Sequence, residues 1–378
     1  MQMQRQTNMH LKPAINVAIL ALSMMPCANL PAVSIDPGIP SRSISELAPA
    51  TTIHVGKTAD WVSIVPDAVW VGSTGPFAVH RIDPGTNRLV ATVNLPGEPC
   101  AGLASGFGSL WIPLCGQSPA LARVDLGSNK LVSLIKLDAI AAEGGVTTSA
   151  DSVWVVVDKS GSLARISPDT GAIRQIVRVP DGSFNPLYHD GQIWITRATG
   201  AEVTILDAFN GARLASVHTG PNPRFLTAGG NAVWTLNQGD GSLTRIDART
   251  HSIKTIGLAT PGHGGDISFG AGMIWTTVAG VPLSATDATT VALRCRWTGP
   301  GGDSLGIGHD AIWLTDYHAG TISRIKLEDA LARCKGLASS GSNPLPTGEF
   351  AVILKDGSQT RVSRTYRAAL EQRLGQAL

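Results

Sequence analysis

The chain has 378 residues, of which 42 are Gly and 23 Pro, and only 15% are charged, with a formal net charge of +2; an average soluble protein has roughly 25% charged residues. Such a length suffices for two ordinary domains or one large β architecture, and many turn residues with few charges favour the all-β choice. The near-neutral balance supplies no field to gather nucleic acid or an anionic membrane surface, which argues against those partners.

At the N-terminus, Arg5 and Lys12 precede an apolar run from Ala14 to Met25 with small residues beyond. This is the layout of a secretory signal peptide over residues 1–32, cut near Ala28 or Ala32, and the run is too short to span a bilayer. A lipid anchor at Cys27 and a buried N-terminal helix are the alternatives. Export predicts a periplasmic or secreted protein, with no transmembrane segment once the signal is removed, and a monomer is expected. A linker over residues 33–50 follows.

A Trp-centred strand then returns as "DAVWVGS", "GSLWIPL", "DSVWVVV", "GQIWITR", "NAVWTLN", "GMIWTTV" and "DAIWLTD". The spacings from Trp70 through Trp111, Trp154, Trp194, Trp234 and Trp275 to Trp313 are 41, 43, 40, 40, 41 and 38 residues. A period near forty carried by β-type segments is the signature of propeller blades. Each unit runs from a small-residue strand into the Trp strand, then a strand such as "LARVD" or "LTRID", a tight turn, and an outer strand. That order predicts a seven-bladed β-propeller of four-stranded antiparallel blades over residues 51–335. The repeated Trp residues are expected between blades. Trp61 and Trp297 fall outside that register. Arg81, Arg123, Arg165, Arg245 and Arg324 share one repeat position, which points to a structural or surface role. Residues 51–57 read as an outer strand without a blade of its own, expected to complete the last blade and close the ring.

The stretch "GFGSLWIPLCGQSPALARVDLGSN" resembles the repeat "GxGxLWVxxxxxxxLxRIDPxT" of YVTN-type propellers and of virginiamycin B lyase-like proteins. The resemblance covers residues 51–326 and implies architecture. Those lyases place His and Glu on the channel face with a divalent cation. Here "WLTDYH" offers Asp316 and His318 where a "WxTExH" type sequence would supply Glu and His. No second Glu stands at a comparable loop, leaving a metal short of ligands. No metal site, catalytic residue or cofactor is therefore assigned.

Cys100 and Cys115 lie symmetrically about the turn "GFGS", facing each other if one hairpin joins them, so a disulfide is expected. Cys295 and Cys334 are left to pair by elimination.

In a propeller, residues entering each innermost strand ring one mouth of the channel. Alignment of the units puts Asp60, Cys100, Gly145, Asn185, Arg224, Asp266 and Asp303 there, with Arg197, Asn222, Asn237, His263, Asp316 and His318 in neighbouring loops. The candidate ligand-binding set is Arg197, Arg224, His263, Asp266, Asp303, Asp316 and His318, suited to a cation or a polar ligand bearing amines and hydroxyls rather than to an apolar one. The expected role is a ligand-binding or scaffold module for a small polar ligand or an envelope protein, without catalysis. A metal-assisted streptogramin lyase-like enzyme is the alternative.

After a linker over residues 336–346, residues 347–378 read as a hairpin about Asp356-Gly357 and a helix capped by Ser363. This tail resembles the end of a LytTR-type DNA-binding domain, "GxYxLxLxDGxxxxVSRxYxxxL", which implies a DNA-binding regulator as a further alternative. The basic segment that enters DNA grooves in that family has no counterpart here.

Overall fold

The structure, a computed structural model, describes residues 41–140, 143–158, 160–258, 262, 264–338, 350–353 and 359–362. The expected signal peptide and Cys27 lie outside the described residues, as do His263 and the tail helix after Val362. Among the described residues no helix is long and apolar enough to cross a membrane.

Seven sheets follow one another along the chain as the blades of a propeller. In the first blade the strands Thr58–Val65, Ala68–Thr74, Ala78–Asp83 and Arg88–Asn94 run antiparallel from the innermost to the outermost. Burial explains the sequence pattern of each position. The innermost strand alternates between buried and half-buried residues, because successive side chains face a neighbouring blade and then the channel side. The Trp strand is almost continuously buried, since both its faces lie against other blades. The outermost strand is mostly exposed.

All seven repeat Trp residues are fully buried. Each packs into the blade that follows: Trp70 lies with Leu110 and Ile112, and Trp313 with Val69 and Val71 of the first blade. A buried Trp removes on the order of 150–250 Å² from water, so these rings are the main adhesive between twisted sheets. The repeat arginine stands opposite the Trp on the adjacent strand, Arg123 beside Trp111 and Arg324 beside Trp313. Its guanidinium lies 5.2 Å from the Trp111 ring centre and 5.7 Å from that of Trp313. It also reaches the next blade: Arg123 donates to the Pro168 carbonyl (2.8 Å), and Arg324 to Asn87 Oδ1 across the ring closure (3.0 Å). Innermost strands need glycine where blades touch, for a Cβ on Gly229 would stand 2.1 Å from the Phe269 ring.

The ring closes as the sequence predicts. Thr51–His54 pairs antiparallel with Thr321–Lys326, Thr51 opposite Arg324 and His54 opposite Thr321, completing the seventh blade. The expected linker over 33–50, by contrast, is structured from Ser41 onward. Ser41–Ser43 adds a fifth, parallel strand to the sixth blade, with Ser41 opposite Arg296 and Ser43 opposite Thr298. Ile44 and Leu47 then join a cluster with Trp275, Trp297 and the helix Leu327–Ala338. That cover explains Trp297, buried at the outer edge of a blade where a Trp would otherwise face water. The helix runs on through Ala338, past residue 336 where a linker is expected. In the tail, Phe350–Ile353 pairs antiparallel with Gln359–Val362, the two arms of the expected hairpin.

Both cysteine pairs stand as disulfides, Cys100–Cys115 with a Cα–Cα distance of 5.7 Å and Cys295–Cys334 with 5.4 Å. The simple hairpin geometry expected for the first pair does not hold. Ala104 faces Trp111, but Glu98 faces Cys115, because the innermost strand of the second blade breaks between Pro99 and Ala104. The second pair ties the helix to the outer strand of the sixth blade.

Candidate functional site

The innermost strands of all seven blades line a central cavity of about 390 Å³, and a second cavity of about 620 Å³ opens on one face of the ring. The larger one is bounded by the entries to the innermost strands of the first and seventh blades, by the second-to-third-strand loops of the first, sixth and seventh, and by Glu98 and Glu143. It is the mouth of the channel. Trp61 and Phe225 line both cavities, and their rings meet across the ring of blades with centroids 6.2 Å apart. These two side chains form the floor of the mouth.

Trp61 owes its position to a β-bulge. In the pairing of the first two strands Asp60 faces Gly72 and Val62 faces Val71, leaving Trp61 as the extra residue, in a left-handed conformation with φ of 60°. A bulge re-aims one side chain at local backbone cost. The Trp61 N–H donates to Asp60 Oδ1 (2.7 Å) and Ser304 Oγ (3.0 Å), which fixes the bulge against the seventh blade.

Three carboxylates from neighbouring strand entries converge beside this floor. Asp60 Oδ1 accepts from Ser304 Oγ (2.7 Å), Asp303 Oδ1 from the Gly265 N–H (3.1 Å), and Asp266 from the N–H groups of Ile267 (2.7 Å) and Leu305 (3.3 Å). Each is walled in by protein yet half-buried, because it still faces a cavity. Burial, reinforced by the Asp303 charge, pushes the Asp60 carboxyl well above the usual carboxylate range. Burial likewise lifts Asp303, although the Gly265 N–H and a hydrogen bond with Asp60 oppose it. Burial takes Asp266 up to about 7 against the pull of two backbone N–H donors. These carboxyls therefore keep their protons to higher pH than free aspartates do.

Above them the rim carries Asp316, Tyr317 and His318, with the rings of Tyr317 and His318 edge to face at 5.3 Å. Arg224 pairs with Glu143 and lies over the faces of Phe184 (4.4 Å) and Phe225 (5.7 Å). No Lys or Arg lines the mouth among the described residues.

Of the residues expected at the strand entries, Asp60, Cys100 and Asp303 line the mouth, and Gly145, Asn185 and Asp266 line the channel behind it. Arg224 sits beside the mouth, held by Glu143, and Asp316 and His318 are on its rim. Arg197 does not join them: it donates to the Asp181 carbonyl (2.9 Å) and pairs with Glu202 within its own blade. The reason is register, since Arg197 ends a Trp strand directly opposite Glu202. His263 lies outside the described residues. The aromatic floor and Glu98 and Glu143 were not expected; the one visible signal was that Trp61 breaks the Trp period. Among the described residues no group of three or more His, Cys, Asp or Glu is arranged to hold a metal ion. They do not fit the divalent cation that the lyase resemblance implies.

No family model matches the chain, and no curated protein matches it in sequence. Solved structures do match in fold. BamB from Moraxella catarrhalis superposes with a TM-score of 0.55 at 14% identity, over 74% of this chain and 97% of that one. A streptogramin B lyase superposes with a TM-score of 0.61 at 15% identity, over 73% of this chain and 96% of that one. At such identities the likeness shows the propeller alone. The LytTR-type resemblance of the tail gains no support from these comparisons.

Proposed function

We propose that this propeller is an extracytoplasmic binding module that engages a polar ligand or a partner's side chain at the channel mouth. The observation that carries this reading is the 620 Å³ mouth itself, of a size typical for small-molecule sites, in which polar groups converge over a Trp61–Phe225 floor. The two disulfides support an oxidising compartment, where such bonds persist. The fold likeness to BamB is compatible with an interaction role.

Two measurements test it. Cell fractionation with thiol labelling should recover the protein outside the cytoplasm with Cys100, Cys115, Cys295 and Cys334 all blocked; cytosolic protein with free thiols contradicts the compartment. A thermal-shift screen of the mature protein against neutral, anionic and cationic polar compounds should yield a hit that is lost in a Trp61→Leu, Tyr317→Leu double variant. Hits that survive the double variant place the binding surface elsewhere.

A further inference from the structure

Resting on that reading of the mouth, we propose that the ligand group it takes is a small organic ammonium ion, held between the Asp60, Asp303 and Asp316 carboxylates and the faces of Trp61, Phe225 and Tyr317. The sign of the charge follows from the lining. Five acidic side chains, Asp60, Glu98, Glu143, Asp303 and Asp316, border the cavity, and no Lys or Arg does so among the described residues. The aromatic wall is an independent observation. The repeat Trp residues are consumed between blades, whereas Trp61 is turned toward the axis by a bulge, where its ring meets that of Phe225 and borders both cavities. Carboxylates alone would suit a hard metal cation, but the described residues offer no metal-holding group. Carboxylates beside π faces suit an alkylammonium, whose N–H bonds donate to oxygen while its carbon-bound hydrogens lie on the rings.

The protein already holds a cation in this manner one step along the rim. The Arg224 guanidinium is paired with Glu143 while lying over Phe184 and over Phe225, the same ring that forms half of the floor. Next to it, around Asp60 and Asp303, carboxylates again meet aromatic faces, and among the described residues no Lys or Arg lines the cavity. Proton linkage gives the inference a signature. A cation seated there favours ionised Asp60 and Asp303, so binding releases proton to the buffer. The groups facing this pair are Asp266, Glu98, Glu143, Tyr317 and His318. Asp60 and Asp303, and Asp266 behind them, gain negative charge as pH rises, so cation binding strengthens in that direction.

The experiment is titration calorimetry of the mature, disulfide-intact protein with 1,4-diaminobutane, beside the neutral 1,4-butanediol and the dianion succinate. The diamine, which stays charged throughout, should bind more tightly at pH 8 than at pH 5, with an apparent enthalpy that depends on the buffer's ionisation enthalpy. Asp303→Asn should weaken it about tenfold or more, Tyr317→Leu about threefold to thirtyfold, and Tyr317→Phe should leave it within about twofold, because the ring face is kept. Absence of diamine binding at millimolar concentration, or binding that all three variants leave unchanged, overturns the proposal. If the diol or succinate binds instead and Tyr317→Leu abolishes that binding, the ammonium class is wrong while the mouth remains the binding site.

Discussion

Removing residues 1–57 tests the ring closure. The deletion takes away the strand Thr51–His54, the bonds from the Ala50 N–H to the Arg324 carbonyl (2.7 Å) and from the Val55 N–H to the Gly320 carbonyl (2.9 Å), and the buried side chains of Leu47 and Val55. Burying each of those side chains contributes about 1.5–3 kcal/mol. Hydrogen bonds of this kind add about 1 kcal/mol each. Together the loss is at least about 5 kcal/mol, comparable with the whole stability of many domains, about 5–15 kcal/mol. It also bares the edge of Thr321–Lys326, a template for association. Deleting only residues 1–46 is the control. That removes the added strand on the sixth blade, the partly buried Ile44 and the partly exposed Arg42–Glu46 pair, but keeps Leu47 and the closing strand. Urea unfolding followed by Trp fluorescence, with light scattering for association, should show a small shift for the shorter deletion. For the longer one it should show a large loss of midpoint or soluble oligomers. A monomeric 58–378 protein with the midpoint of the 47–378 protein would refute the closure energetics.

Four further outcomes are expected. Asp266 has a folded pKa raised to about 7, so the native state keeps a proton that the unfolded chain gives up above about 4. Its contribution to stability is therefore full below that pH and lost as pH rises through about 7. Asp266→Asn should gain stability relative to the parent between pH 4 and 8, read from urea midpoints, and parallel curves would contradict this. His80, buried between Ser73 Oγ (2.7 Å) and Thr92 Oγ1 (3.0 Å), has its pKa lowered by burial to about 4. It acts in the opposite sense, with stability falling as pH drops from about 6.5 toward 4, and His80→Gln should flatten that limb. The Cys295–Cys334 bond closes a 39-residue separation against 15 for Cys100–Cys115. By the chain-entropy relation Cys334→Ser should cost about 4 kcal/mol and Cys115→Ser about 3 kcal/mol, compared as melting temperatures under non-reducing conditions. Arg324→Ala removes a ring contact on Trp313 and the bond to Asn87 across the closure. It should cost about 1–2 kcal/mol, whereas Arg88→Ala on an exposed outer strand should leave the midpoint nearly unchanged.

The architecture was legible because it repeats. A Trp every forty residues reports a position where each blade needs the same large ring, and an unpaired outer strand at residues 51–57 reports that the ring must close on itself. The same alignment brought Asp60, Asp266 and Asp303 to one channel, since a ring places equivalent positions around one axis. What repeats could not reveal is what departs from them. Trp61 reaches the floor through a single-residue bulge, which shifts a side chain without altering the pattern on either side. Glu143 and Arg224 meet although 81 residues separate them, because the ring brings their loops together. Ser41–Ser43 pairs with a blade that its short polar sequence does not announce. Arg197 was misplaced for the converse reason: the end of a Trp strand is near the mouth in sequence alignment, but its side chain is taken by the Glu202 opposite.

The channel mouth, walled by Trp61, Phe225 and Tyr317 and edged by carboxylates, is the proposed binding site. Crystals of the mature protein soaked with 4-bromobenzylammonium address it directly, because bromine scatters anomalously and marks its own position. An anomalous peak is expected inside the mouth, with the ammonium nitrogen toward Asp60 and Asp303, and absent from crystals of the Asp303→Asn, Tyr317→Leu protein. Peaks confined to the outer strands of the blades, or an unoccupied mouth at saturating concentration, would contradict it.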